Sequence, residues 1–476
     1  MMRAFAACLA GLLLTGVSMT AVGQSEALTV RMPPYERVVL DNGTTLLLME
    51  RREIPLIGFY ALVRGGALAD APDRPGTASL LAGLLEKGAG PRDAYEFADA
   101  VAEVGGRLST GAGLEAIAVS GEFLSRDQAL MVELLADLLR RPRLDPDELE
   151  KLRDREIDLI RAEKDGDYDA LLPIYGAAAI FGEHPYARPV GGSEQSLERM
   201  THDDVVRYYQ EQFGGDRLIV AVTGDFDTQE LRARLEQAFG DFPPAKASLP
   251  SVPPPRRVEG RRVLLVDAPS SVQTYLLIGN VGVERNHPDR AAIDVVNTLF
   301  GGRFTSMLNA ELRVRSGLTY GARSQLVRPS QPGAWQMVTF TRTEATEQAT
   351  DLALEVYERF KAGELDAELL ESGKRYVAGQ FPMNLETATQ WARQLAELEL
   401  YGLDPSYVEG YGAAVAAVTS EDAARVAAEI YPSTDDLVLV FIGAAEKIRD
   451  VVAKYGPVTE MSISEPVFAP SAWADR

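Results

Sequence analysis

Three histidines and one cysteine limit the chemistry open to the 476-residue chain. His184, His202 and His287 are the whole imidazole complement, and no two fall within one helical turn. Cys8 is the sole thiol and lies in an apolar N-terminal run, so thiol catalysis and disulfides are excluded from a mature chain. A conventional catalytic zinc takes three protein ligands; here they would have to be carboxylates and scattered histidines. His184 reads as a loop-stabilising residue, His202 follows Thr201 at a helix start, and His287 sits in an Asn-His-Pro turn. Other hydrolytic signatures are missing too. The chain has no Gly-x-Ser-x-Gly elbow, no Gly-x-x-x-x-Gly-Lys phosphate loop and no serine–histidine–aspartate arrangement.

What remains are groups that can bind and polarise a substrate. Arg313 and Tyr320 stand seven residues apart. An arginine fork can donate to a peptide carbonyl or carboxylate, and a tyrosine hydroxyl, protonated at neutral pH, can donate to a developing oxyanion. On residue types alone, an ordinary alternative stands beside this: Arg313 paired with Glu311, and Tyr320 a half-buried strand residue. Gly301 and Gly302 suit either the close approach of a peptide backbone or a tight turn between helices. Glu156 and Glu163 fall in the densely charged residues 151–164, which read as a solvated or salt-bridged helix face.

The elements that must carry these groups come in two similar sets. Residues 242–260 read FPPAKASLPSVPPPRRVEG, six prolines with almost no apolar periodicity, which predicts an extended linker. Upstream, Thr201 opens a helical pattern that leads to the β-rich residues 217–224; downstream, Thr419 opens another that leads to residues 436–443. Thr to Gly is 23 residues in the first copy and 24 in the second, at an offset of 218 or 219, which implies duplication of one unit. Strands are predicted over 38–51, around an Asp41-Asn42-Gly43 turn, and over 262–279. Helices are predicted over 145–164 and 344–361. Strands and helices alternate too irregularly for a doubly wound parallel sheet. The predicted class is α+β, an α/β sandwich in each half.

Three segments also carry a resemblance. GTASLLAGLLEKG (76–88) resembles the zinc helix of the insulinase/pitrilysin-type zinc metallopeptidases, HPYARPVG (184–191) resembles their HPY loop, and ELRVRSGLTYG (311–321) resembles the LR…GLAYG segment of their C-terminal half. The likeness spans residues 29–458, and order, spacing and duplication together make it specific; an Arg/Tyr pair without the zinc motif resembles the non-catalytic subunit of the two-chain, mitochondrial-processing-peptidase-like branch. It implies two homologous halves hinged as a clamshell around a peptide chamber. Catalytic members carry His-x-x-Glu-His on one helix, with all three side chains on one face. Ser79, Ala82 and Gly83 hold those positions here, and none can ligate zinc or act as a general base at neutral pH. Glu156 and Glu163 match the family's downstream acidic pair, whose second member completes the zinc site. Arg313 and Tyr320 match the Arg and Tyr that hold substrate beside the zinc, Arg315 is out of register, and residues 299–304 resemble a glycine-bearing loop that contains Gly301 and Gly302.

The resemblance therefore implies a non-catalytic subunit with no metal of its own. It would pair as a heterodimer with a zinc-bearing homologue and donate Arg313 and Tyr320 for cleavage of short unfolded peptides, Zn being held by the partner. The alternative is a catalytically silent peptide-binding or scaffold protein. Composition agrees with either: the formal charge of −22 excludes a nucleic-acid partner and suits a soluble protein or a cavity for basic peptides. Residues 1–23 have the layout of a cleavable secretory signal peptide, and no later stretch is apolar over a membrane-spanning length, which predicts a periplasmic protein. The expected division is a signal peptide at 1–23, an N-terminal half with a degenerate zinc site at 24–241, the linker at 242–260, a C-terminal half at 261–465 and a tail at 466–476.

Overall fold

The computed structural model describes residues 30–470, so the signal-peptide expectation and the end of the tail lie outside the described residues. The first predicted turn forms as local chemistry dictates. Gly43 takes φ +92°, its N–H donates to the Leu40 carbonyl at 2.9 Å, and the Thr44 N–H donates to Asn42 Oδ1 at 3.1 Å. The turn joins β1 (Glu36–Val39) to β2 (Thr45–Glu50), paired antiparallel with Val39 opposite Thr45. The first sheet adds β3 (Leu56–Arg64), β4 (Arg107–Ala112), β5 (Ala116–Leu124) and β6 (Leu218–Gly224), in the order β1-β2-β6-β3-β5-β4. The second contains β7 (Arg262–Asp267), β8 (Gln273–Val281), β9 (Ala322–Leu326), β10 (Ala334–Arg342), β11 (Val438–Gly443) and β12 (Val458–Ser462), in the order β9-β10-β8-β11-β7-β12.

Set side by side, β2-β6-β3-β5-β4 and β7-β11-β8-β10-β9 are one topology: the first pair is parallel and the other three are antiparallel. Only the outer edge differs. The hairpin strand β1 fills it antiparallel to β2, and β12 fills it parallel to β7. The repeated threonines share a role. Thr201 caps the helix His202–Gln212 in a reciprocal box with Asp204, and Thr419 caps Ser420–Glu429 in the same box with Asp422. Two homologous sandwich halves are therefore the architecture, as the sequence predicts. The predicted long helices also form, as Pro146–Gly166, capped by Asp145, and Thr346–Lys361.

Strands β2, β6, β7 and β11 are buried on both faces, so successive residues serve different layers. In the first sheet Leu46, Leu48, Val220 and Val222 face one core together with the helix Thr77–Leu85. Leu47, Met49, Ile219 and Ala221 face another, closed by Trp391, Leu395 and Leu398 of the helix Ala388–Tyr401. That helix belongs to the second half. The loan is returned by the helix Tyr168–Phe181, which lies on the second sheet with Gly176 over Leu277 and Ile180 over Gly279.

Both contacts are close, the first against backbone and the second against a leucine tip. A Cβ at Gly58 would lie 2.5 Å from the Thr389 nitrogen, and one at Gly176 would lie 2.5 Å from Leu277 Cδ1. Arginines then close the C-terminal ends of the exchanged helices. Arg64 donates to the Leu400 and Glu399 carbonyls at 3.0 and 2.9 Å, and Arg262 donates to the Ala179 carbonyl at 3.1 Å.

Residues 242–260 form no helix or strand, but they are bonded along their length. The Ala245 N–H donates to Asp216 at 2.7 Å, the Ala247 N–H to the Glu211 carbonyl at 3.0 Å, and Val258 exchanges two hydrogen bonds with the Asn280 side chain. Residues 465–468 pack back on the first half. Phe468 is buried edge-on against Tyr175, the Gln195 N–H donates to the Pro466 carbonyl, and the Lys164 ammonium bonds the Glu465 carbonyl. Among the described residues no helix is long and apolar enough to cross a membrane.

Candidate functional site

The zinc-helix positions come first because they decide what this half can hold. Two backbone N–H groups at the start of the Thr77–Leu85 helix, those of Gly76 and Ala78, bond the carboxylate of Asp70 at 2.8 and 2.9 Å. Asp70 is only 4% exposed, and burial pushes its carboxyl up to about 7 despite those donors. Ser79 is half-buried and Ala82 is buried, its carbonyl accepting from Thr110 Oγ1. Gly83 meets a leucine. A Cβ there would lie 2.9 Å from Leu152 Cδ2, so a hydrocarbon from the Pro146–Gly166 helix occupies the space a side chain at 83 would need.

Zinc does not fit these residues. The three positions offer a hydroxyl, a methyl and no side chain, and among the described residues no group of three or more His, Cys, Asp or Glu is placed to hold a metal ion. The histidine rings are engaged elsewhere. His184 accepts the Tyr186 N–H at Nδ1 and bonds the Pro253 carbonyl through Nε2 at 2.8 Å, which ties its loop to the linker. His202 bonds the Leu144 carbonyl at 2.7 Å, and His287 accepts the Asp289 N–H at 3.2 Å.

Glu156 and Glu163 line a cavity of about 490 Å³ between the halves. Its wall is mostly apolar, with Ile174, Phe181 and Tyr186 from the first half, Val327 and Ala334 from the second, and Phe468 from the C-terminal strap. Ser79, Ala82 and Gly83 are not part of the wall. Glu156 pairs with Arg155 at 2.9 Å, as a salt-bridged helix face would. Glu163 differs: no ion pair reaches it among the described residues, and partial burial, Asp167 and Glu156 all raise its carboxyl above the usual range.

Arg313 and Tyr320 are brought together. Ser306 caps a helix that runs over Met307–Asn309 and continues as a wider π turn over Ala310–Arg315. Gly317, at φ +64°, ends it, and the Leu318 N–H returns to the Leu312 carbonyl at 2.9 Å. The chain then passes Tyr320 and enters β9. Thr319 and Gly321 are fixed on either side of it, since the Thr319 hydroxyl accepts from the Gly321 N–H and the Thr339 hydroxyl donates to the Gly321 carbonyl. The tyrosine itself is 75% exposed. Its ring lies 4.5 Å from Arg313 Cζ, and the ring of Phe304 lies 4.7 Å from the same carbon.

The ordinary alternative for this pair is not what the structure contains. Glu311 is engaged by Arg315 and by Arg359, at 3.0 Å for the latter, and Arg313 has no carboxylate within ion-pair distance among the described residues. Gly301 and Gly302 stand in different surroundings. Gly301 is buried, and a Cβ there would stand 2.5 Å from the Ser324 nitrogen of β9, so its close approach is to the chain's own sheet. Gly302 is exposed.

Two site residues escape a reading of the sequence. Leu152 sits 69 positions from Gly83, and only the packing of two helices brings them together. Phe304 precedes Arg313 by nine positions with no periodic signal.

A duplicated sheet-and-helix chain, with a metal helix that holds no ligand in one half and a stacked arginine and tyrosine in the other, falls in the class of two-half metallopeptidase clamshells. Residues 59–194 match the family described as Insulinase (Peptidase family M16), and residues 199–377 match the Peptidase M16 inactive domain. The chain belongs to the insulinase family, peptidase family M16. It is 27% identical over 384 residues to an uncharacterized zinc protease of Mycobacterium leprae, across 80% of this chain and 86% of that one. It is 22% identical over 449 residues to the mitochondrial-processing peptidase subunit beta of Lentinula edodes, across 90% of this chain and 94% of that one. In fold it resembles the solved peptidase M16 inactive domain from Pseudomonas fluorescens, with a TM-score of 0.80, 22% identity and coverage of 86% of this chain and 98% of that one.

Proposed function

We propose that this chain is the non-catalytic subunit of a periplasmic insulinase-family metallopeptidase, which pairs with a zinc-bearing homologue and presents Arg313 and Tyr320 to substrate at the partner's site. The carrying observation is the asymmetry of the two halves. Leu152 packs over the first half's metal-helix face, whereas Arg313 is held beside an exposed Tyr320 with no acid to neutralise it. An arginine without an ion-pair partner among the described residues, in a chain of net charge −22, supports presentation to a group outside the chain.

The exchanged helices support pairing. They resist rotation of the halves about the linker, so a closed chamber calls for a second chain. The acid-bearing cavity between the halves suits the basic side chains of short unfolded peptides. The partner would bring the metal and the nucleophile. This chain's arginine would bind a carbonyl or carboxylate of the peptide, and its tyrosine would donate a hydrogen bond to the developing oxyanion.

The test is peptide hydrolysis by the zinc-bearing homologue combined with wild-type chain, Arg313→Ala or Tyr320→Phe, with zinc content and complex formation checked in each. Both variants should fold and associate. Turnover should fall on the order of 100- to 1000-fold, the usual cost of one oxyanion donor. Undiminished hydrolysis by both complexes would remove the donated site and leave a silent binding or scaffold protein of the same fold.

A further inference from the structure

The guanidinium of Arg313 lies within cation–π distance of two rings, and only one of them belongs to the pair the sequence singles out. The second is Phe304, whose ring centre lies 4.7 Å from Cζ and which is itself 60% exposed. We infer that Phe304 is a positioning residue, which with Tyr320 clamps the Arg313 fork so that its N–H donors can be met only edge-on, by a planar oxygen acceptor of the substrate backbone. This rests on the proposed presentation of Arg313 to substrate.

The geometry follows from the chemistry of a guanidinium. Its faces are weakly hydrated and stack on aromatic rings, while all five donors lie in its plane. On this reading each ring covers one face, and with no carboxylate within ion-pair distance among the described residues the in-plane rim is left to bind. Clamping also removes rotamer freedom that a long side chain would otherwise lose on binding.

The loop bearing Phe304 is built to hold it. Gly301 is pressed against Ser324, Arg303 donates to the Ser372 hydroxyl at 3.0 Å, and the Arg303 carbonyl accepts from the Ser306 N–H at 3.1 Å and from Asn309 Nδ2 at 3.4 Å. Anchors thus stand on both sides of one exposed phenylalanine. On this reading the buried glycine serves the site indirectly: it lets the loop approach β9 closely enough to set Phe304 against Arg313.

Two measurements test the inference. In the isolated chain with labelled arginine, the Arg313 Nε–H resonance, assigned by its loss in Arg313→Lys, should carry a ring-current shift. Phe304→Leu should move it towards the free-arginine position, and Phe304→Tyr should retain it. A resonance unmoved by Phe304→Leu overturns the proposal whatever the partner does.

In the complex with the zinc-bearing homologue, Phe304→Leu should lower kcat about 2- to 5-fold for the lost stacking, and further where the fork wanders, with Phe304→Tyr restoring it. If Arg313→Ala lowers turnover and Phe304→Leu does not, Phe304 has no positioning role and the inference fails. If turnover ignores Arg313→Ala while the resonance responds to Phe304→Leu, the proposed function fails and the positioning of Arg313 by Phe304 stands.

Discussion

Single residues show why the first half cannot simply be repaired. Ser79→His, Ala82→Glu and Gly83→His would restore the metal motif on paper, yet position 82 is buried and any side chain at 83 meets Leu152. Each misfit group should cost roughly 1–3 kcal/mol through overpacking or an unpaired buried polar group, so the triple variant should melt well below wild type and bind no stoichiometric zinc. Calorimetry and metal analysis read both; a stable zinc-loaded protein would show that Leu152 moves aside freely. Asp70 makes a separate prediction. Its folded carboxyl titrates at about 7, against about 3.9 in an unfolded chain, so between those values the folded state holds a proton that the unfolded state lacks. Stability from this group is therefore full below about pH 4 and is lost as pH rises to 7, with a slope of at most about 1.4 kcal/mol per pH unit. Asp70→Asn keeps one of the two oxygens that accept the Gly76 and Ala78 N–H groups and has no carboxyl to titrate, so its melting temperature should vary less with pH over that window.

Elements were legible where their chemistry is local. The turn at residues 41–43 and the boxes at Thr201 and Thr419 each involve groups within four positions, and all three form as their residue types require. The site was half legible for the same reason. Arg313 and Tyr320 lie in one continuous segment and meet across a single glycine turn, whereas Leu152 and Phe304 act through tertiary packing that no spacing rule encodes. Nor can periodicity reveal which sheet a helix covers, because the apolar stripe of Ala388–Tyr401 would be the same on either one. The glycine contacts at the exchanged helices give a prediction at this scale. Gly58→Val would drive two methyls into the Thr389 backbone and force the helix from the sheet, whereas a Cβ at Gly111, on the edge strand β4 beyond β5, meets nothing within 4 Å. Gly58→Val should cost about 2 kcal/mol or more in denaturant unfolding and Gly111→Val little. Equal effects would mean that the crossing tolerates a side chain.

At the scale of the whole molecule, the two halves depend on each other's helices more than on the chain that joins them. Residues 1–241 expressed alone would leave the Leu47, Met49, Ile219 and Ala221 face of the first sheet bare, an apolar surface that aggregates. The fragment should be insoluble or bind a hydrophobic dye, and co-expression with residues 242–476 should rescue it. Protease nicking at residues 248–251 should leave a complex that co-elutes as one species, since covered sheets rather than the covalent link hold it. Fragments that fold apart and stay apart would contradict the mutual cover.

The same mutual cover has a consequence for ancestry. A lone ancestral unit would carry a sheet with no lid and a helix with nowhere to lie, and two copies answer both needs by exchanging helices as a domain-swapped homodimer. Fusion through an extended, proline-rich stretch would keep that quaternary arrangement while making the encounter intramolecular, at an effective concentration in the millimolar range. It would also break the symmetry that a homodimer enforces. Every substitution in a homodimer appears twice, but in a fused chain it appears once. One half of a fused chain can then set a leucine against its helix at Gly83 while the other carries an arginine beside two rings, a division of labour closed to a homodimer.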